Sequence, residues 1–143
     1  PETTFAIVGR NPAPAVVELS ALPGVQVTGA VDDVRTWLSG ADIVVAPLRI
    51  ARGIQNKVIE AMAMAKPVVA STAAAEGIDA VDGEHLMVAQ DAGEEAAMVS
   101  ALLSDTDARL RLGAAARAHV MAHYGWDAQL APLDAIMAAG AAK

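Results

Sequence analysis

Residues 49–60, RIARGIQNKVIE, place three cations, a glycine and a single carboxylate within one short stretch. Arg49, Arg52 and Lys57 bracket Gly53, where a tight turn is expected, and residues 54–65 then follow a helical spacing. A helix that starts just after Gly53 presents free backbone N–H groups and the positive end of its dipole to an anion. Asn56 and Glu60 are four apart and Lys57 and Glu60 three apart, so they share a face. Ile54, Val58, Ala61, Met62 and Ala65 form the expected buried stripe. An ionised carboxylate only accepts hydrogen bonds and can hold two hydroxyls at once. An anion cradle with a carboxylate about a turn and a half deeper suits a diphosphate followed by a ribose diol. The competing reading is an exposed Lys57–Glu60 pair, worth about 0.3–0.5 kcal/mol. Spacing alone leaves both open.

Three other chemistries fit less well. A dinucleotide fingerprint needs Gly-x-Gly-x-x-Gly after the first strand, and residues 9–14 read GRNPAP. The Walker A pattern is absent. A phosphorylated receiver domain needs an acidic pair, an aspartate closing another strand, and a Lys-Pro step. Asp32-Asp33 and Lys66-Pro67 imitate two of these, but Asp42 opens its strand and Lys66 precedes one. These residues are read as helix cap and strand entry. His119 and His123 are spaced for zinc on a helix, with His85 elsewhere, but a site needs a third ligand and usually a general base. Their alanine-rich surroundings favour ordinary surface or core histidines.

The elements that position the opening stretch alternate along the chain. Strand runs occur at 5–9, 25–29, 42–48, 66–71 and 85–89. Helical spacing occupies 13–22, 33–40 with Asp32 as its cap, 54–65, 93–103, 106–122 and 126–138, with Tyr124-Gly125 separating the last two. Alternation implies right-handed crossovers and a parallel sheet. Short apolar runs without polar alternation suit strands covered on both faces. The expected fold class is α/β, a doubly wound, Rossmann-like parallel sheet of about five strands. Ligands of such sheets lie beyond the carboxyl ends of the strands, here the turns after Val8, Val27, Ala46, Ala70 and Val88.

At 143 residues the chain has the length of one domain, and 55% apolar residues exclude general disorder. A formal charge of −7 argues against a nucleic-acid partner. There is no cysteine for disulfides or thiolate metal sites. No run of about 18 apolar residues could span a bilayer.

The run PLRIARGIQNKVIEAMAMAKPVVAS resembles the donor-site segment of family-four glycosyltransferases of the GT-B fold. Those enzymes typically carry Glu-Gly-Phe-Gly, a helix ending in Glu-Ala-Met-Ala, then Gly-Lys-Pro-Val-Val-Ala. VTGAVDDVRTWLSGADIVVAPL resembles the segment before it, DGEHLMVAQD the strand and loop after it, and RLGAAARAHVMAHYGWDAQL the closing helix and its aromatic break. The likeness covers nearly the whole chain. Its nearest subgroup is the sugar transferases linked with bacterial exopolysaccharide synthesis.

The resemblance implies particular roles. The family carries two glutamates eight apart. The second matches Glu60 and is implied to hold the ribose hydroxyls. The first falls on Arg52, a departure that puts the usual donor-sugar contact in doubt. Gly53 and Ile54 match the turn whose amides meet the donor. Gln55, Asn56 and Lys57 replace more apolar family residues as an alternative polar set. Ala30 and Val31 match backbone bordering the base. Arg52 and Lys57, with Arg49 beside them, are the expected stabilisers of a departing diphosphate. Arg10 matches no such role. The implied enzyme transfers a sugar with retention from a UDP- or GDP-linked donor, needing no metal or other cofactor. The implied whole is larger: FAIVGR matches the second strand of the domain, so residues 1–143 are expected to lack its first strand and the N-terminal acceptor domain. The implied setting is cytoplasmic, at the inner face of a membrane. The apolar run LAPLDAIMAAG is expected to face the missing domain and to favour a dimer in a crystal.

Overall fold

The protein is described by a computed structural model covering residues 3–125 together with Leu130 and Met137. The chain order is β1 (Phe5–Val8), α1 (Pro14–Glu18) running into a 3₁₀ turn (Leu19–Ala21), β2 (Val25–Gly29), α2 (Val34–Gly40), β3 (Val44–Ala46), α3 (Asn56–Ala63), β4 (Val68–Ser71), α4 (Thr72–Ala75), β5 (Met87–Ala89), α5 (Ala92–Ser104) and α6 (Thr106–His123). All five expected strands form, and every pairing is parallel. Hydrogen bonding groups them as a two-stranded sheet, β1-β2, and a three-stranded sheet, β3-β4-β5. β1 and β3 are each paired along one edge only among the described residues. The chain divides accordingly into two compact units, 1–40 and 41–143.

In the first unit, Pro14 opens α1, where a missing N–H costs nothing. The helix expected over 13–22 tightens into the 3₁₀ turn after Glu18. Gly24, at φ +79°, then turns the chain into β2. The cap of α2 is Asp33, not the expected Asp32. Asp33 immediately precedes the first helical residue, so its Oδ1 reaches the Arg35 N–H at 2.9 Å. The Arg35 guanidinium folds back on the same carboxylate at 2.8–3.1 Å and holds its pKa below the usual range. No residue of this unit among those described is fully buried.

The second unit holds the core. Val68, Val69 and Ala70 of β4 are wholly buried, as a central strand covered on both faces requires. Val69, Ala89, Leu102 and Leu112 cluster there, with Ile43, Met87, Met98, Val99 and Ala108 packed around them. Asp91 and Asp105 cap α5 and α6 by accepting from the N–H groups two or three residues on. α6 packs against α3, and Gly113 makes the approach close: a Cβ there would overlap the Ala65 carbonyl. Arg117 also donates to the Ala63 carbonyl at the end of α3. The expected helix over 126–138 and the dimerising apolar run lie outside the described residues, except Leu130 and Met137, which are helical and exposed.

Candidate functional site

The β3–α3 loop carries the opening stretch at the carboxyl end of β3. Gly53 takes φ +66°, a conformation a side chain would strain, so the turn depends on glycine. α3 begins at Asn56, two residues later than the spacing suggests. That delay corrects the expected buried stripe. Val58, Ala61 and Met62 are buried, but Ile54 lies ahead of the helix and is 51% exposed. Ala65 lies beyond its end and is exposed.

The N–H groups of Gly53, Ile54, Gln55, Asn56 and Lys57 find no acceptor among the described residues. They precede the first bonded amide, Val58, which donates to the Gln55 carbonyl at 2.9 Å. Glu60 is exposed one turn into α3, and its carboxylate has no partner among the described residues. Lys57 makes no ion pair with it in the structure. The side chains of Arg49, Arg52 and Lys57 are likewise exposed and without partners among the described residues. Asn56 is exposed on the first turn. The loop therefore gathers three unneutralised cations, five free amide donors and, one turn on, a free carboxylate.

Gln55, expected with Asn56 and Lys57 in an alternative polar set, is turned onto its own loop. Its Nε2 folds back and donates to the Gly53 carbonyl at 3.0 Å, with the Arg52 carbonyl at 3.5 Å. This contact ties the side chain to the glycine turn. Ala30, exposed, and Val31, half-buried, come directly after Gly29 at the end of β2 in the first unit.

Several residues that spacing does not single out support this region. α4, a four-residue helix, is absent from the expected elements; Ser71 caps it by accepting from the Ala74 N–H and donates to the Leu48 carbonyl at 2.6 Å, tying the strand end to the loop. Gly77, at φ +83°, lies against the Gly53–Ile54 peptide, where a Cβ would stand 3.5 Å from the Gly53 carbonyl carbon. A cleft of about 580 Å³ opens at the carboxyl ends of β3, β4 and β5, with Arg49, Ser71, Thr72, Gln90 and Glu95 in its lining. Glu95 Oε1 is buried without a partner, and burial pushes its carboxyl pKa up. The signal for these residues in the sequence is small: a Ser-Thr step closing a strand, and a glycine two residues after a run of alanines.

No group of three His, Cys, Asp or Glu among the described residues is arranged to hold a metal. The histidines nevertheless come together. His85, distant in sequence, stacks on His119 at 4.1 Å, and His119 stacks on His123 at 4.2 Å. One nitrogen of each meets backbone: His85 Nδ1 accepts from the Val81 N–H at 3.0 Å, His119 Nε2 meets the Asp79 carbonyl, and His123 Nδ1 the His119 carbonyl, while His85 Nε2 lies 3.7 Å from the Glu84 carboxylate. Among the described residues no helix is long and apolar enough to cross a membrane.

Comparison with known proteins places the fold. Residues 1–105 match the family model described as glycosyl transferases group 1. No curated protein matches the chain. Among solved structures, HepE from Anabaena in complex with UDP superposes with a TM-score of 0.74 at 20% identity, covering 85% of this chain and 36% of that one. Sucrose-phosphate synthase from Thermosynechococcus elongatus gives 0.75 at 25% identity, covering 94% and 38%. The C-terminal domain of the group 1 glycosyl transferase LpcC from Francisella tularensis gives 0.67 at 23%, covering 78% and 60%. The chain thus spans little more than a third of HepE and of sucrose-phosphate synthase.

Proposed function

The chain belongs to the glycosyl transferases of group 1, and from that premise we propose that it is the nucleotide-sugar-binding domain of a retaining glycosyltransferase. The carrying observation is the unpartnered Glu60 carboxylate, one turn beyond the free amides of residues 53–57. Glu60 receives the ribose hydroxyls. The amides of Gly53 and Ile54, the start of α3 at Asn56, and Arg49 receive the diphosphate. Arg52 and Lys57 stabilise the charge that grows on the diphosphate as the sugar leaves. Gln55 serves the donor by holding the turn closed. UDP is the first nucleotide to test, because HepE is described in complex with UDP; GDP is the second.

Residues 1–143 are read as a domain short of its first strand and of an N-terminal acceptor domain. Support comes from the small share of HepE and sucrose-phosphate synthase that the chain spans. The resemblance to exopolysaccharide enzymes supports a role in bacterial cell-envelope glycan synthesis, on the cytoplasmic side of the membrane. Calorimetry with UDP and GDP, on the full-length protein that carries these residues, tests the proposal. Binding of one of them is expected; no binding of either at millimolar concentration overturns it.

Arg52 favours a second reading, a nucleotide-binding module that has lost transfer, since the family's first glutamate is absent from that position. The full-length protein separates the two: turnover of any sugar nucleotide dismisses the module, while binding without turnover across a panel of donors supports it.

A further inference from the structure

The turn at Gly53 and Ile54 is exposed and lies outside any regular element, yet its amides can act on a donor only if they are held still. Gln55 holds it from one side. The backbone of Gly77 also runs beside it. A Cβ at 77 would stand 3.5 Å from the Gly53 carbonyl carbon and 3.7 Å from the Ile54 nitrogen. A methyl would make ordinary contact there, and at φ +83° any side chain would also strain the backbone of residue 77 itself.

Gly77 is itself anchored by the two residues after it. Ile78 is buried at 8% exposure, and its N–H donates to the Ala75 carbonyl at 3.0 Å. Both backbone groups of Asp79 are then gripped from the end of α6. Its N–H donates to the Tyr124 hydroxyl at 2.7 Å, and its carbonyl meets the His119 ring. His119 is steadied between two stacked imidazoles. The grip falls on the backbone of an exposed residue whose own carboxylate has no partner among the described residues. Its effect is therefore to fix where the segment runs, and that segment carries Gly77 against the donor turn.

We infer that Gly77 is a positioning residue for the Gly53–Ile54 turn, and that Tyr124 and His119 act through it by clamping Asp79. The inference rests on the reading of this turn as donor-contacting. Two variants of the full chain test it: Tyr124→Phe, which removes one hydroxyl without changing shape, and Gly77→Val, which puts a branched side chain at φ +83° beside the turn. Backbone order parameters at Gly53 and Ile54 are expected to fall from about 0.85 towards about 0.6 in each variant. UDP affinity is expected to weaken about tenfold. The melting temperature of Tyr124→Phe should stay close to that of the parent, which separates positioning from general stability. Unchanged order parameters in Tyr124→Phe overturn the inference, whatever becomes of Gly77→Val. A parent chain that binds neither UDP nor GDP overturns the nucleotide reading instead, and the order parameters then judge the clamp alone.

Discussion

Glu60 holds no hydrogen bond or ion pair that its removal would break among the described residues. Glu60→Gln should therefore leave the melting temperature unchanged while UDP binding weakens about tenfold or more, since hydrogen bonds to a charged group contribute about 1.5–3 kcal/mol. Calorimetry and a thermal melt on the same variant check both halves. A lower melt with intact binding would make Glu60 structural. Glu95 is the opposite case. Its carboxyl is raised by desolvation, so the folded state holds the proton to higher pH than the unfolded state. Ionisation then costs stability as pH rises through the carboxylate range, and that cost is absent below the ordinary glutamate value. Glu95→Gln should melt higher than the parent at pH 7, with the gap closing as the pH is lowered through that range. Spacing locates Glu60 because a helix face is fixed by its period. It cannot show that the Gln55 amide folds back on its own turn, because the direction of a side chain in a loop is not periodic. Nor can it find Glu95 Oε1, whose burial depends on residues far off in sequence.

At the scale of elements, α3 ends in a way its sequence does not favour. Ala65 takes φ +55°, while the Ala65 N–H reaches the Met62 carbonyl and the Lys66 N–H the Ala61 carbonyl. Those two bonds make a Schellman cap, whose left-handed position usually belongs to glycine. The family pattern this run resembles has Gly-Lys-Pro where this chain has Ala65-Lys66-Pro67. Ala65→Gly should remove left-handed strain and stabilise the fold by about 1 kcal/mol. For a chain of this length that corresponds to a rise of about 3 °C in melting temperature. A fall in melting temperature would mean that the methyl contributes more by packing than the strain costs. The same logic explains what is legible among the elements. The five strands are readable as bounded apolar runs, and α5 and α6 as long periods closed by capping aspartates. α4 is not, because four residues, TAAA, complete no period. The split of 13–22 into α1 and a 3₁₀ turn is not either, since Leu19–Ala21 keeps the apolar spacing of a helix while tightening its hydrogen bonds.

At the scale of the whole molecule, the described core is distributed unequally. Every buried hydrophobic residue, from Val58 to Val120, falls within residues 41–143, and none falls within the described part of 1–40. The first unit carries two strands and two short helices, and Phe5, Val17, Leu22 and Val34 in it are each more than 40% exposed. Chains of about 40 residues without disulfides or metal seldom hold a fold alone, because they bury too small a fraction of their surface. The chain has no cysteine with which to compensate. The second unit has a core strand covered on both faces, two aspartate-capped helices and the α3–α6 contact at Gly113. Residues 41–143 prepared alone should therefore keep a cooperative urea transition with helical circular dichroism, and residues 1–40 alone should show neither. The β3–α3 loop, Glu60 and the Gly77–Asp79 clamp all lie in the second unit, so the turn should keep its order parameters in the 41–143 piece. A non-cooperative 41–143 would show that the core seen there needs residues 1–40 to form. A cooperative 1–40 would show that its exposed apolar residues are not the measure of its stability.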